Sequence, residues 1–144
     1  MAKIGVMDSG SGGLSVLREL LRLLPEEEYL YFSDNAHCPY GEKSQDFILG
    51  RCRSIVEDFL SQEAQAVVIA CNTATAAAIA TLREEYPDIP FVGMEPAIKP
   101  AILATRNGII GVLATESTLH SAKYIDTRER YAQGVRVVEH VGEG

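Results

Sequence analysis

Short apolar, β-branched runs alternate with longer segments of helical period along almost the whole chain, and no other feature constrains the fold as much. "KIGVMD" (3–8), "YLYFSD" (29–34), "AVVIAC" (66–71), "PFVGM" (90–94), "IIGVLA" (109–114) and "VRVVEH" (135–140) read as strands. The segments between them are long enough for helices, which is the pattern of βαβ units around a parallel sheet. The expected fold class is therefore α/β, a doubly wound parallel sheet.

The helical segments carry their own evidence. Leu14, Leu17, Leu20, Leu21 and Leu24 keep one face of the first helix apolar, and Pro25 ends it. Phe47, Ile48, Cys52, Ile55, Val56, Phe59 and Leu60 do the same for the second. A third helix is expected over about 73–86, and a fourth after Pro96. Two prolines in "GMEPAIKPAI" mark the one candidate boundary, and the final strand runs into "EHVGEG" with no helix after it to cover it.

Composition narrows the function classes. With 144 residues, 47 % of them hydrophobic and 23 % charged, the chain can build one compact core and is far from a disordered composition. A formal net charge of -7 without a Lys/Arg cluster argues against a nucleic-acid partner, because that affinity rests on basic side chains displacing counterions. The longest apolar run is much too short to span a bilayer, so no membrane role and a soluble, cytoplasmic chain are expected. Cys38, Cys52 and Cys71 are an odd number at irregular spacing, which suits reduced thiols rather than a disulfide framework or a zinc site. His37, His120 and His140 show no ligand spacing either, and no metal is expected.

In open parallel sheets, ligands bind beyond the carboxyl ends of the strands. This chain puts small polar and ionisable groups there: "DSGSGG" (8–13), Asp34 with "HCPYG" (37–41), Cys71-Asn72-Thr73, Glu95, and "TESTLHS" (115–121). Any one of them has a bland reading as a helix cap. "GSGG" matches neither a dinucleotide fingerprint, which needs glycine at Ser15, nor a P-loop, and a tight turn that lets the first helix pack closely is its simpler reading. Cys71 has two readings, a buried small hydrophobe or a thiol at a helix start, where the helix dipole favours thiolate. The adjacent Asn72 and Thr73 are neutral donors of the kind needed to hold a carboxylate beside that thiolate.

"IGVMDSGSGGLSVLRELLRLLP", "YFSDNAHCPYGEKS", "ACNTATAAA" and "GVLATESTLHSAKY" resemble, in order, the signature segments of the cofactor-independent aspartate/glutamate racemases, glutamate racemase in particular, from about Lys3 to Tyr124. The resemblance implies interconversion of L- and D-glutamate, supplying D-glutamate for peptidoglycan, with no cofactor. It implies that Cys71 is one of two cysteines acting on opposite faces of the substrate Cα. Asp8 would assist the thiol or hold the ammonium, Ser9, Asn72 and Thr73 would bind the head group, and Pro39, Tyr40 and Gly41 would form the segment meeting the side-chain carboxylate. Thr115 and Thr118 would reach the substrate from a second lobe. Residues 1–94 correspond to a first lobe and 95–144 to the start of a second; the family's second Cys-Thr-His motif has no counterpart, and neither Cys38 nor Cys52 takes its place. Two other readings remain at this point: a non-catalytic amino-acid or carboxylate binder, paired as a homodimer over the uncovered sheet, and a flavodoxin-like nucleotide module, which rests on the fold alone.

Overall fold

The computed structural model describes residues 1–142. Four strands, β1 (Lys3–Asp8), β2 (Glu28–Ser33), β3 (Ala66–Ile69) and β4 (Phe91–Gly93), form an all-parallel sheet in the order β2-β1-β3-β4. Chain order reverses direction between β1 and β3, the position where such sheets open a crevice at their carboxyl ends. Helix α1 (Leu14–Leu23) covers one face, and α2 (Gln45–Ser61) and α3 (Asn72–Glu85) cover the other. A second sheet pairs β5 (Ile109–Ala114) with β6 (Arg136–Val141), also parallel, with α4 (Ile98–Ala104), the short α5 (Glu116–Leu119) and α6 (Ala122–Tyr131) alongside.

The strands sort their side chains by face. Ile4, Val6 and Val68 meet Val16, Leu17 and Leu20 of α1, whereas Met7, Val67 and Ile69 join Ile55, Phe59, Ala78 and Leu82 beneath α2 and α3. Gly5 makes the second contact possible, because a Cβ there would lie 2.3 Å from Cδ2 of Phe59. The apolar stripe expected on α1 is only half used. Leu17 and Leu20 pack on the sheet, while Leu14 and Leu21 stay 51 % and 48 % exposed.

Four of the expected strands begin or end one or two residues from their place in the structure, and β1 and β5 match throughout. The largest difference is informative. β3 ends at Ile69, so Ala70 and Cys71 lie beyond the ladder, and α3 begins at Asn72 because Cys71 itself is its N-cap. Between β2 and α2, two single 3-10 turns, Asn35–His37 and Tyr40–Glu42, were not expected: turns of three residues leave no apolar period to read. The peptide bond between Cys38 and Pro39 is cis.

Candidate active site

The loop after β1 is held from both sides. Asp8, nearly buried, accepts hydrogen bonds from the backbone N–H of Ser9 (2.8 Å) and of Gly13 (2.7 Å), one on each carboxylate oxygen. On the other flank the Gly10 carbonyl accepts from the hydroxyls of Ser33 and Tyr31. Gly13 must be glycine for this closure, since a Cβ there would come within 2.7 Å of the Asp8 Cβ and 3.1 Å of the Ala70 Cβ. The turn reading of the glycines is therefore the one the structure bears out, and its product is the fixed position of Ser9.

Ser9 in turn faces the thiol. Its Oγ lies 3.5 Å from Sγ of Cys71, and that Sγ also accepts from the backbone N–H of Ala74 at 3.4 Å. Of the two sequence readings, Cys71 has the helix-start one: it caps α3 through its sulfur and is half-buried rather than a sealed core residue. The sulfur thus sits at the N-terminus of α3 between a hydroxyl and a backbone N–H. Cys52 is the contrast. Fully buried in α2, its thiol is pushed up to about 12, by burial first and by neighbouring charge second.

A third component comes from the second sheet. Thr115, the N-cap of α5, has its Oγ1 2.8 Å from that of Thr73 and 3.0 Å from that of Thr118. This chain of three hydroxyls joins the start of α3 to the start of α5. Asp8, Ser9, Gly12, Tyr40, Gly41, Ala70, Cys71, Asn72, Thr73, Ala114, Thr115 and Thr118 together line a cleft of about 270 Å³, which is room for a small amino acid.

All the residues to which the family resemblance gives a role line this cleft except Pro39, the N-cap of the Tyr40–Glu42 turn. Glu95 lines a neighbouring groove with Pro96 and Lys123, whose lining does not include Cys71, and Cys38 is exposed on the loop near Gly10. Tyr40 differs from its expected role in one respect. The residue lines the cleft, but its hydroxyl donates to Asp34 at 2.6 Å and is already engaged there. Arg51, which the sequence reading passed over, completes that contact by a two-pronged pair with Asp34. The available signal was its position between Ile48 and Ile55 on the buried side of α2, where a charge needs a partner.

Among the described residues there is no group of three or more His, Cys, Asp or Glu side chains able to hold a metal ion. Nor is any helix long and apolar enough to cross a membrane.

A family model, Asp/Glu/Hydantoin racemase, matches residues 4–141. The chain belongs to this family. Among its relatives, a glutamate racemase of Pseudomonas putida is 62 % identical over 137 residues, covering 95 % of this chain and 52 % of its own. That of Pseudomonas aeruginosa is 59 % identical over 136 residues, covering 94 % and 51 %. The structure of Escherichia coli glutamate racemase in complex with L-glutamate and the activator UDP-MurNAc-Ala matches with a TM-score of 0.89 at 41 % identity, over 98 % of this chain and 53 % of that one. Glutamate racemase from Aquifex pyrophilus matches with a TM-score of 0.83 at 34 % identity, over 96 % and 54 %. This member of the racemase family thus spans about half the length of the relatives it matches, and it shares their parallel α/β fold over nearly all of its own.

Proposed function

We propose that the cleft binds glutamate and that Cys71, as thiolate, exchanges the proton at its Cα, the half-reaction of a cofactor-independent glutamate racemase serving peptidoglycan synthesis in the cytoplasm. The observation that carries the reading is the Cys71 sulfur, set at the N-terminus of α3 beside the Ser9 hydroxyl and the donating Ala74 N–H, on the lining of a cleft of amino-acid size. A Cα proton beside a carboxylate is a very weak acid, so preorganised donors must stabilise the charge that develops as it leaves. Asn72, Thr73, Thr115 and Thr118 supply neutral donors on the side of the cleft where the α-carboxylate would lie. The four-stranded unit corresponds in this reading to a first lobe, and the segment from residue 95 onward to the beginning of a second.

Inversion needs a second acid on the far face of Cα. The cleft lining holds one cysteine, Cys71. These residues by themselves therefore exchange the Cα proton with retention, and the opposite acid needed for inversion has to come from outside them. Proton NMR of L- and D-glutamate incubated with the chain in D2O, followed by chiral analysis, tests this directly. Loss of the Cα signal of one enantiomer, without appearance of the other and abolished by Cys71→Ala, is expected. Exchange that persists in Cys71→Ala removes the assignment of the thiolate. Binding of glutamate without exchange favours the alternative, a carboxylate-binding module without catalysis.

A further inference from the structure

The buried carboxylate of Asp34 is engaged by three side chains, one from α2 and two from the turns that follow Asp34 in the chain. Arg51 of α2 donates through Nε to Oδ2 and through a terminal nitrogen to Oδ1, both at 2.9 Å. The Tyr40 hydroxyl reaches Oδ2 at 2.6 Å, and Nδ1 of His37 lies 2.9 Å from Oδ1. The backbone ties the same residue to the loop of the cleft, since Asp34 N–H donates to the Asp8 carbonyl at 2.9 Å and the Asp34 carbonyl accepts from His37 N–H at 3.0 Å. Every contact therefore converges on the segment from 34 to 41, whose far end, Tyr40-Gly41, forms one wall of the cleft.

We propose that Asp34, Arg51 and His37 are positioning residues that fix the Tyr40-Gly41 turn, so that its backbone selects an occupant with a second carboxylate. The inference rests on the cleft being a glutamate site. Three features support positioning over a mere staple of helix to sheet. The Tyr40 hydroxyl is consumed by Asp34, so any hydrogen bond that Tyr40-Gly41 offers an occupant has to come from the main chain of the turn. The turn is a single 3-10 unit closed by one bond, Lys43 N–H to the Tyr40 carbonyl at 3.0 Å, and one such bond is too little to hold it by itself. The carboxylate–guanidinium pair is also bidentate, with the carboxylate buried, a geometry that restricts orientation as well as contributing energy. Asp34 is held down to about 2: burial pushes it up, and the bonds from Arg51, Tyr40 and His37, with the Arg51 charge, outweigh that.

The test uses the 144-residue chain as wild type, Arg51→Met, Arg51→Lys and Tyr40→Phe. Amide hydrogen exchange is measured over residues 35–43, and binding is measured for L-glutamate and for L-alanine, which shares the head group but lacks the distal carboxylate. For Arg51→Met, exchange over 35–43 is expected to accelerate about tenfold or more, with glutamate affinity falling by a similar factor, as for loss of one charge-assisted bond. The amides of α3 and the affinity for alanine are expected to stay within about twofold, inside the range of surface substitutions. Arg51→Lys, which keeps the charge but not the fork, is expected to recover part of both effects. Unchanged exchange over 35–43, or an equal loss for glutamate and alanine, overturns the positioning role. If Arg51→Met does not fold, Tyr40→Phe, which removes one hydroxyl from the same cluster, must show both changes in smaller degree, and its failure to do so overturns it equally. Absence of glutamate binding in the wild type refutes the glutamate reading, whereas the exchange data still decide the positioning of the turn.

Discussion

The four-stranded layer and the two-stranded layer are assembled from the same parallel βαβ unit, yet they enclose their strands to very different degrees. In the first, Val6, Met7, Val67 and Ile69 are fully buried between helices on both faces. In the second, Ile110 is buried on one side while Leu113 and Val138 remain 72 % and 47 % exposed. The division extends to chemistry. Asp8, Ser9 and Cys71 all stand on tips of the enclosed layer, and the open layer contributes hydroxyls, Thr115 and Thr118. Groups whose position must be fixed are rooted in the more fully enclosed layer, and the more open one adds hydroxyls to the cleft lining.

Removing core volume from each layer is the strongest way to break this contrast. Phe59→Ala, in the enclosed core against Gly5, is expected to cost about 3–5 kcal/mol, and Ile110→Ala, on the open sheet, about 2 kcal/mol, read by thermal unfolding followed by circular dichroism. Equal losses would mean that the two layers unfold as one unit and that the contrast in burial has no energetic counterpart.

Acid sharpens the comparison at an intermediate size. The folded carboxyl of Asp34 titrates at about 2, below its ordinary 3.8, so the stability it contributes is fully present above about pH 4 and is lost as pH falls toward 2. That window corresponds to about 2 kcal/mol. Denaturant unfolding at pH 5 and pH 2 measures it, and Asp34→Asn is expected to flatten the difference. In the open layer Glu139 is also held low, by the hydrogen bond from Tyr124 and then that from Arg128, against burial, but it is much more solvated than Asp34. Its share of the acid response is expected to be the lesser.

The smallest effect concerns the join itself. Thr115→Val removes the hydroxyl that links Thr73 to Thr118 and caps α5, and is expected to cost about 1 kcal/mol. Hydrogen exchange is expected to quicken in α5 and leave β1 and β3 unchanged. Faster exchange in β1 would show that the enclosed layer depends on the open one.

These contrasts also explain what could be read from the sequence. The strands were legible because each is a short β-branched run bounded by turn residues, and α1 because its leucines repeat at helical spacing up to Pro25. The convergence of Asp8, Cys71, Asn72 and Thr73 followed from one rule about strand tips together with the family motifs. Contacts that join distant segments were not legible. Arg51 and Asp34 are 17 positions apart, and Thr73 and Thr115 are 42 apart, and nothing local in either pair announces the partner. The orientation of the Tyr40 hydroxyl belongs to the same class. A motif names the residue, and only packing decides which partner its oxygen bonds.

The sealed thiol of Cys52 has a consequence for anyone handling the molecule. Cys38 lies in the open and Cys71 at a cleft, so an alkylating reagent meets two accessible sulfurs on the native chain, and the third is protected by burial and by a thiol held near 12. The count of modified cysteines is therefore a gauge of conformational integrity: two for the intact particle, three once α2 has lifted from the sheet.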